Sequence, residues 1–193
     1  RGWFSDRASL LGEVRWAERD RYLRGETERM AAELRDNLVG RDCWAELALT
    51  TRGFLASAES VFRRHREDLQ FDFATAAIEY AKAVEVEMGE LLRPGLREAG
   101  EAGHLALGEL ARTLETPPVA LKRWIERVFG ANARFFLVEM PPRLAAIADL
   151  RNPGAHRARV ELPRASSLRE ETLGIGQEGL VIRLARLKAA RRR

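Results

Sequence analysis

Apolar residues recur three and four positions apart through nearly the whole of this chain, and no stretch alternates as a half-buried strand would. That spacing lines up side chains on one face of a helix, segment after segment, so the chain is expected to be all-α. In residues 7–39, Leu23, Met30, Leu34 and Leu38, with Thr27 in the remaining seam position, suit a long amphipathic helix or a short coiled coil. A second helix is expected over about 42–65, carrying Trp44, Leu47, Phe54, Leu55, Val61 and Phe62. The polar stretch "RRHRED" then reads as a joint. It divides an N-terminal helical extension, residues 1–67, from an up-and-down helical domain, residues 68–193.

Punctuation within the second part predicts the remaining helices. "DFATAAIEYAKAVEVEMGELL" places Ala74, Ala77, Ile78, Ala81, Val84, Met88 and Leu91 on one face, with Asp72 to cap its start and Pro94-Gly95 to end it. A shorter helix is expected at about 104–115. Thr116 as N-cap with Pro117 in the first turn predicts another through Phe129, ended by Gly130. Residues 132–150 are interrupted by Pro141-Pro142, which predicts two helices or one sharp kink. The last segment, about 166–190, opens with Ser167 and Glu170 at capping-box spacing, and Gly174, Gly176 and Gly179 divide it in two.

A hydrophobic fraction of 46% and a charged fraction of 32% describe a soluble, foldable chain. No apolar run approaches the roughly 20 residues that span a bilayer, and no signal-peptide pattern opens the chain, so a cytoplasmic protein without membrane contact is expected. A single cysteine, Cys43, excludes an intrachain disulfide and agrees with a reducing compartment. The first residue is Arg1, so a piece of a longer protein is expected, with further domains or subunits as partners. Of 33 basic residues only Lys82, Lys122 and Lys188 are lysines. Arginine bias in the coding sequence accounts for this as readily as phosphate recognition by the guanidinium fork does. The basic tail "RLARLKAARRR" is equally open, because a helix C-terminus favours cations in any case.

The stretch "DLRNPGAHRARV", residues 149–160, holds the chemistry-bearing candidates. Residues five apart on an unbroken helix point about 140° away from each other. Asn152 is a preferred N-cap and Pro153 a preferred first helical residue, so a new helix is expected to start there. Arg151 would then precede a helix N-terminus and His156 lie in its first turns. Free backbone N–H groups at that corner attract an anion, and the dipole keeps His156 neutral as a base. Plain capping by Asn152 and an ion pair of Arg151 with Asp149 or Glu161 are the structural alternatives. His65 and His104 lie in contexts with no such corner. Glu79, Lys82 and Glu85 either lie near this site or form the wet face of their helix, and the wet face is the expected reading. No His, Cys and carboxylate cluster has metal-ligand spacing, and no Gly-rich phosphate loop follows a strand, so neither metal nor cofactor is expected.

"LRNPGAHR" resembles the signature of HEPN domains: arginine, a polar residue, small or apolar residues, then histidine. "DFATAAIEYAKAVEVEMGELL" resembles the leading helix of that family and "LGIGQEGLVIRLARL" its closing segment, so the resemblance covers about residues 70–190. Pro153 and Gly154 depart from the usual filler. The resemblance implies a HEPN-like bundle and a metal-independent endoribonuclease, commonly dimeric, found in antiviral, toxin–antitoxin and RNA-processing systems. It matches Arg151 and His156 to the catalytic pair and Asn152 to the polar position. Arg157, Arg159, Arg164 and the basic tail are expected to contact RNA phosphates. Attack by a ribose 2′-hydroxyl needs a base, an acid and cationic stabilisation, and one histidine serves poorly as both base and acid. A two-fold homodimer would supply the second group. A non-cutting HEPN-like module that binds RNA or mediates assembly, and a helical adaptor, are the competing functions.

Overall fold

The computed structural model describes residues 18–19, 21–22, 25–101, 104–156, 159–174 and 178–192, with the backbone alone at 152–156 and 192. Among these residues there are helices and turns and no strand. Helix α1 spans residues 25–39 and ends in a π-helical turn, Leu34–Val39. Then follow α2 (Arg41–Glu46), α3 (Leu49–His65), α4 (Ala74–Glu98), α5 (Leu107–Glu115) and α6 (Val119–Phe129). The last three are α7 (Met140–His156), α8 (Leu162–Leu173) and α9 (Leu180–Arg192). No helix among the described residues is long and apolar enough to cross a membrane.

The bundle is organised around α4, which packs against α3, α6, α7, α8 and α9. Its sequence explains this position. Ala76, Ala77, Ala81 and Ala83 are fully buried and keep the backbone accessible to neighbours, while Val84, Met88 and Leu92 fill the space between. α5 lies against α7, and α2 against α9. Met30 and Leu34 of the expected N-terminal seam are buried in the same core as Leu168 and Leu184 from the other end of the chain. Ion pairs from Arg63 to Glu33 (2.6 Å) and from Arg64 to Glu26 fasten α1 to α3. Residues on both sides of the "RRHRED" joint thus share one hydrophobic core. The joint itself is a turn in which His65 stacks on Phe71, ring centroids 3.7 Å apart.

Two buried carboxylates tie α4 to its neighbours. Glu59 on α3 accepts two hydrogen bonds from Arg169 of α8 (2.7 and 2.8 Å), one from Tyr80 of α4 (2.7 Å) and one from Arg63 (2.6 Å). Glu87 on α4 accepts from the backbone N–H of Ala48, at the start of α3 (2.9 Å), and pairs with Lys188 of α9 (2.5 Å). Both carboxylates are fully buried, and the cation beside each offsets the cost of burying its charge.

Several helix boundaries differ from the expected ones. α4 does not stop at Pro94-Gly95 but continues to Glu98. Gly100, at φ +77°, ends it, with Glu101 N–H bonded to the carbonyl of Leu96 (2.9 Å) and Gly100 N–H to that of Arg97 (3.1 Å). A helix-interior proline costs about 3 kcal/mol, and burial of Leu96 together with close packing of Gly95 beyond the proline offsets this. α6 opens at Val119 after Pro118 instead of at Thr116, and ends at Gly130 as expected. Pro141-Pro142 do not break the chain. They follow a π-helical turn, Phe135–Glu139, where the carbonyls of Leu137 and Val138 lack the N–H donors those prolines would have carried. α8 begins at Leu162 with Pro163 in its first turn, so Ser167 is helix-internal and its hydroxyl bonds back to the Pro163 carbonyl (3.1 Å). Finally, α7 runs through Asn152-Pro153 to His156, and the break expected there is absent. A proline in a last turn forfeits only the bond to the carbonyl four residues earlier, here that of Asp149.

Candidate functional site

Arg151 leaves α7 where that helix meets α4 and α5. Its Nη1 donates to Oε2 of Glu85 on α4 at 2.9 Å. The same oxygen accepts the backbone N–H of Leu107, the first residue of α5, at 3.2 Å. Three helices therefore converge on one carboxylate oxygen. The Arg151 side chain is 28% exposed and that of Glu85 13%, so the pair sits at the surface with the carboxylate on the inner side. Neither Asp149 nor Glu161, the neighbours in sequence, takes the arginine. At the residue before Leu107, Glu109 accepts from the N–H of Ala106 (3.1 Å), so the first turn of α5 is capped from two sides.

Glu79 and Lys82, expected with Glu85 on a wet face, are also only half-exposed. Burial pushes the Glu79 carboxyl above its ordinary value, against the charge of Lys82 at 3.7 Å. Lys82 lies over the Phe54 ring, 5.3 Å from its centroid. His104 is exposed, three residues before Leu107, and makes no hydrogen bond or ion pair that joins it to Arg151 or Glu85 among the described residues.

The side chains of Asn152 and His156 lie outside the described residues, as does Arg157 entirely. Because α7 is unbroken, positions 151 and 156 stand about 140° apart around its axis. The anion-binding corner expected from a helix start at Asn152 is therefore not formed by the backbone, whose N–H groups there are internal to the helix. Downstream, the chain is laced to the start of α4. Asp72 accepts the N–H groups of Val160 (2.9 Å) and Ala74 (3.0 Å), and Phe73 N–H bonds to the Val160 carbonyl (2.9 Å).

The expected phosphate-binding residues divide sharply. Arg159 donates to the Gln70 side chain and to the Leu69 carbonyl, both at 2.9 Å, and so braces the turn after α3. Arg164 is exposed on α8 and has no partner among the described residues. In the tail, Arg183 pairs with Glu139 (3.3 Å) and lies over Phe135, and Arg186 pairs with Glu178. Lys188 is held by Glu87 and Glu90, and Arg191 lies over Trp124 and bonds to the Leu91 carbonyl (3.3 Å). Every described cation of the tail thus has an intramolecular partner. Between α5 and α7 runs a groove lined by Ala111, Arg112, Val138, Ala145 and Asp149 among others. Among the described residues no three His, Cys, Asp or Glu side chains cluster as metal ligands would. Comparison of the chain with protein-family models, curated proteins and solved structures found no match.

Proposed function

We propose that this chain is a HEPN-type, metal-independent endoribonuclease module, the effector part of a larger cytoplasmic defence, toxin or stress-response protein. The observation that supports this reading is the pose of Arg151. Arg151, five residues before the last residue of α7, is held by a single Nη1 contact at the meeting of three helices, and among the described residues it makes no other hydrogen bond. A guanidinium carries five N–H donors. Four are left for the non-bridging oxygens of a phosphodiester.

In the proposed reaction a ribose 2′-hydroxyl attacks the adjacent phosphorus, the bond to the 5′-oxygen breaks, and a 2′,3′-cyclic phosphate is left. His156 moves the proton, Arg151 stabilises the charge on the phosphorane, and Asn152 accompanies the arginine. The continuity of α7 argues for a homodimer. Positions 151 and 156 stand about 140° apart around α7, and two-fold pairing would let the histidine of one copy work with the arginine of the other. Of the expected RNA contacts, Arg164 and Arg157 carry this role; Arg159 supports the fold.

The Glu85 contact also favours a second reading. A carboxylate already balances the Arg151 charge, as it would in a HEPN-like module that binds RNA or mediates assembly without cutting. Incubation of RNA with the protein in EDTA separates the two. Cleavage that leaves 2′,3′-cyclic phosphate ends, and that falls about 10²-fold or more in His156→Ala and in Arg151→Ala, is the expected result. RNA binding without cleavage selects the second reading, and cleavage at full rate by both variants removes the assignment.

A further inference from the structure

We infer that Glu85 is a positioning residue that sets the guanidinium of Arg151 for phosphate binding, an inference that rests on the ribonuclease reading above. The geometry is specific. One oxygen, Oε2, takes both Arg151 Nη1 at 2.9 Å and the backbone N–H of Leu107 at 3.2 Å. The carboxylate is thereby referenced to the backbone of α5, and the arginine to the carboxylate. Glu85 itself rides on α4, the helix most firmly embedded in the core. Its side chain is 13% exposed, little of it open to water that would loosen the contact.

The contact is made at the Nη1 corner of the fork. A planar guanidinium anchored there keeps its Nε and Nη2 donors on one edge, the edge that matches two oxygens of a phosphate. An arginine without such an anchor samples many rotamers, and ordering it on binding costs side-chain entropy. Glu85 removes that cost in advance. The free charge of Glu85 is less important than its accepting oxygen, because the amide oxygen of glutamine would accept the same two donors.

The test is cleavage kinetics in EDTA for Glu85→Ala, Glu85→Gln, Arg151→Ala and the Glu85→Ala/Arg151→Ala double variant, with thermal melts of each. Glu85→Ala is expected to lower kcat by up to about 10²-fold, the scale of a catalytic group misplaced by an ångström, with KM little changed. Glu85→Gln is expected to restore the rate to within a few-fold. In the Arg151→Ala background, loss of Glu85 should cost nothing further, since it acts through the arginine. A role confined to capping α5 would instead slow cleavage equally in both backgrounds, and that outcome overturns the inference while leaving the ribonuclease reading intact. Full activity in Glu85→Ala overturns it likewise. A wild-type protein that does not cleave RNA overturns the reading itself, and the inference with it.

Discussion

Gly95 of α4 faces the indole of Trp124 on α6 so closely that a Cβ added to it would lie 2.3 Å from Cε3 and 2.4 Å from Cδ2 of the ring. Trp124 is 4% exposed and makes an edge contact with Phe129, so the ring has little room to retreat. Gly95→Ala therefore sets two effects against each other. Helix propensity favours alanine by about 1 kcal/mol, and overpacking of a well-filled core costs about 1–3 kcal/mol. The contact lies far inside van der Waals distance, so a net loss of stability is expected. Urea unfolding checks it, and a variant as stable as the parent would show that α4 and α6 are free to separate.

Glu59 is fully buried and accepts four hydrogen bonds, two of them from Arg169. Breaking a buried pair from one side strands the other charge, at a cost of about 3–5 kcal/mol. Glu59→Leu should reach that range, while Glu59→Leu/Arg169→Met should recover much of it by leaving no unpaired charge. Equal destabilisation of the single and double variants in denaturant would refute the account.

Acid should act through the same residue. Burial alone would raise the Glu59 carboxyl, yet hydrogen bonds from Arg169 and Tyr80 and the Arg169 charge outweigh it and hold the group below its ordinary value. A carboxyl with a depressed folded pKa contributes stability that is complete above its unfolded value, near 4.3, and is lost as pH falls through the folded one. Below about pH 4.3 wild type should therefore lose stability more steeply than Glu59→Gln. Parallel curves for the two proteins, measured by denaturation at stepped pH, would count against this.

Lys188 is 8% exposed and is the cation beside the buried Glu87. Removing residues 188–193 should thus destabilise the fold by about 3–5 kcal/mol, the cost of stranding a buried charge, as well as change any salt dependence of RNA binding. Lys188→Met should reproduce the loss, since it also strands Glu87, and Lys188→Met/Glu87→Leu should reverse a good part of it. A truncated chain that melts with the full one would return the tail to the role of a solvated helix end.

Helix type was legible because the signal is local and repeated: Ala77, Ala81, Val84, Met88 and Leu91 announce α4 without reference to the rest of the chain. Gly130 and Gly174, at φ +51° and +78°, end their helices for an equally local reason. Beyond α8, Gly179 answers a packing requirement, because a Cβ there would meet the Leu173 backbone at 2.2 Å. Boundaries at prolines were not legible. A proline signal is worth a few kcal/mol, and burial of a residue such as Leu96 beyond Pro94 is worth as much, so the outcome depends on what packs there.

The candidate site divides along the same line. Its residue types, an arginine and a histidine near a helix end, stand in the sequence. Their relation does not, because it depends on whether α7 stops at Asn152, and the chain continues the helix. The partner of Arg151 is 66 residues away on α4, and no periodicity links the two positions. Burial works in the same way at Lys188, which reads as part of a solvated basic tail until α9 lays it against Glu87. Local spacing sets which face of a helix is apolar, at a cost of about 0.8 kcal/mol per misplaced methylene. Which charges lose their water, and therefore must find a partner, follows only once those faces have met.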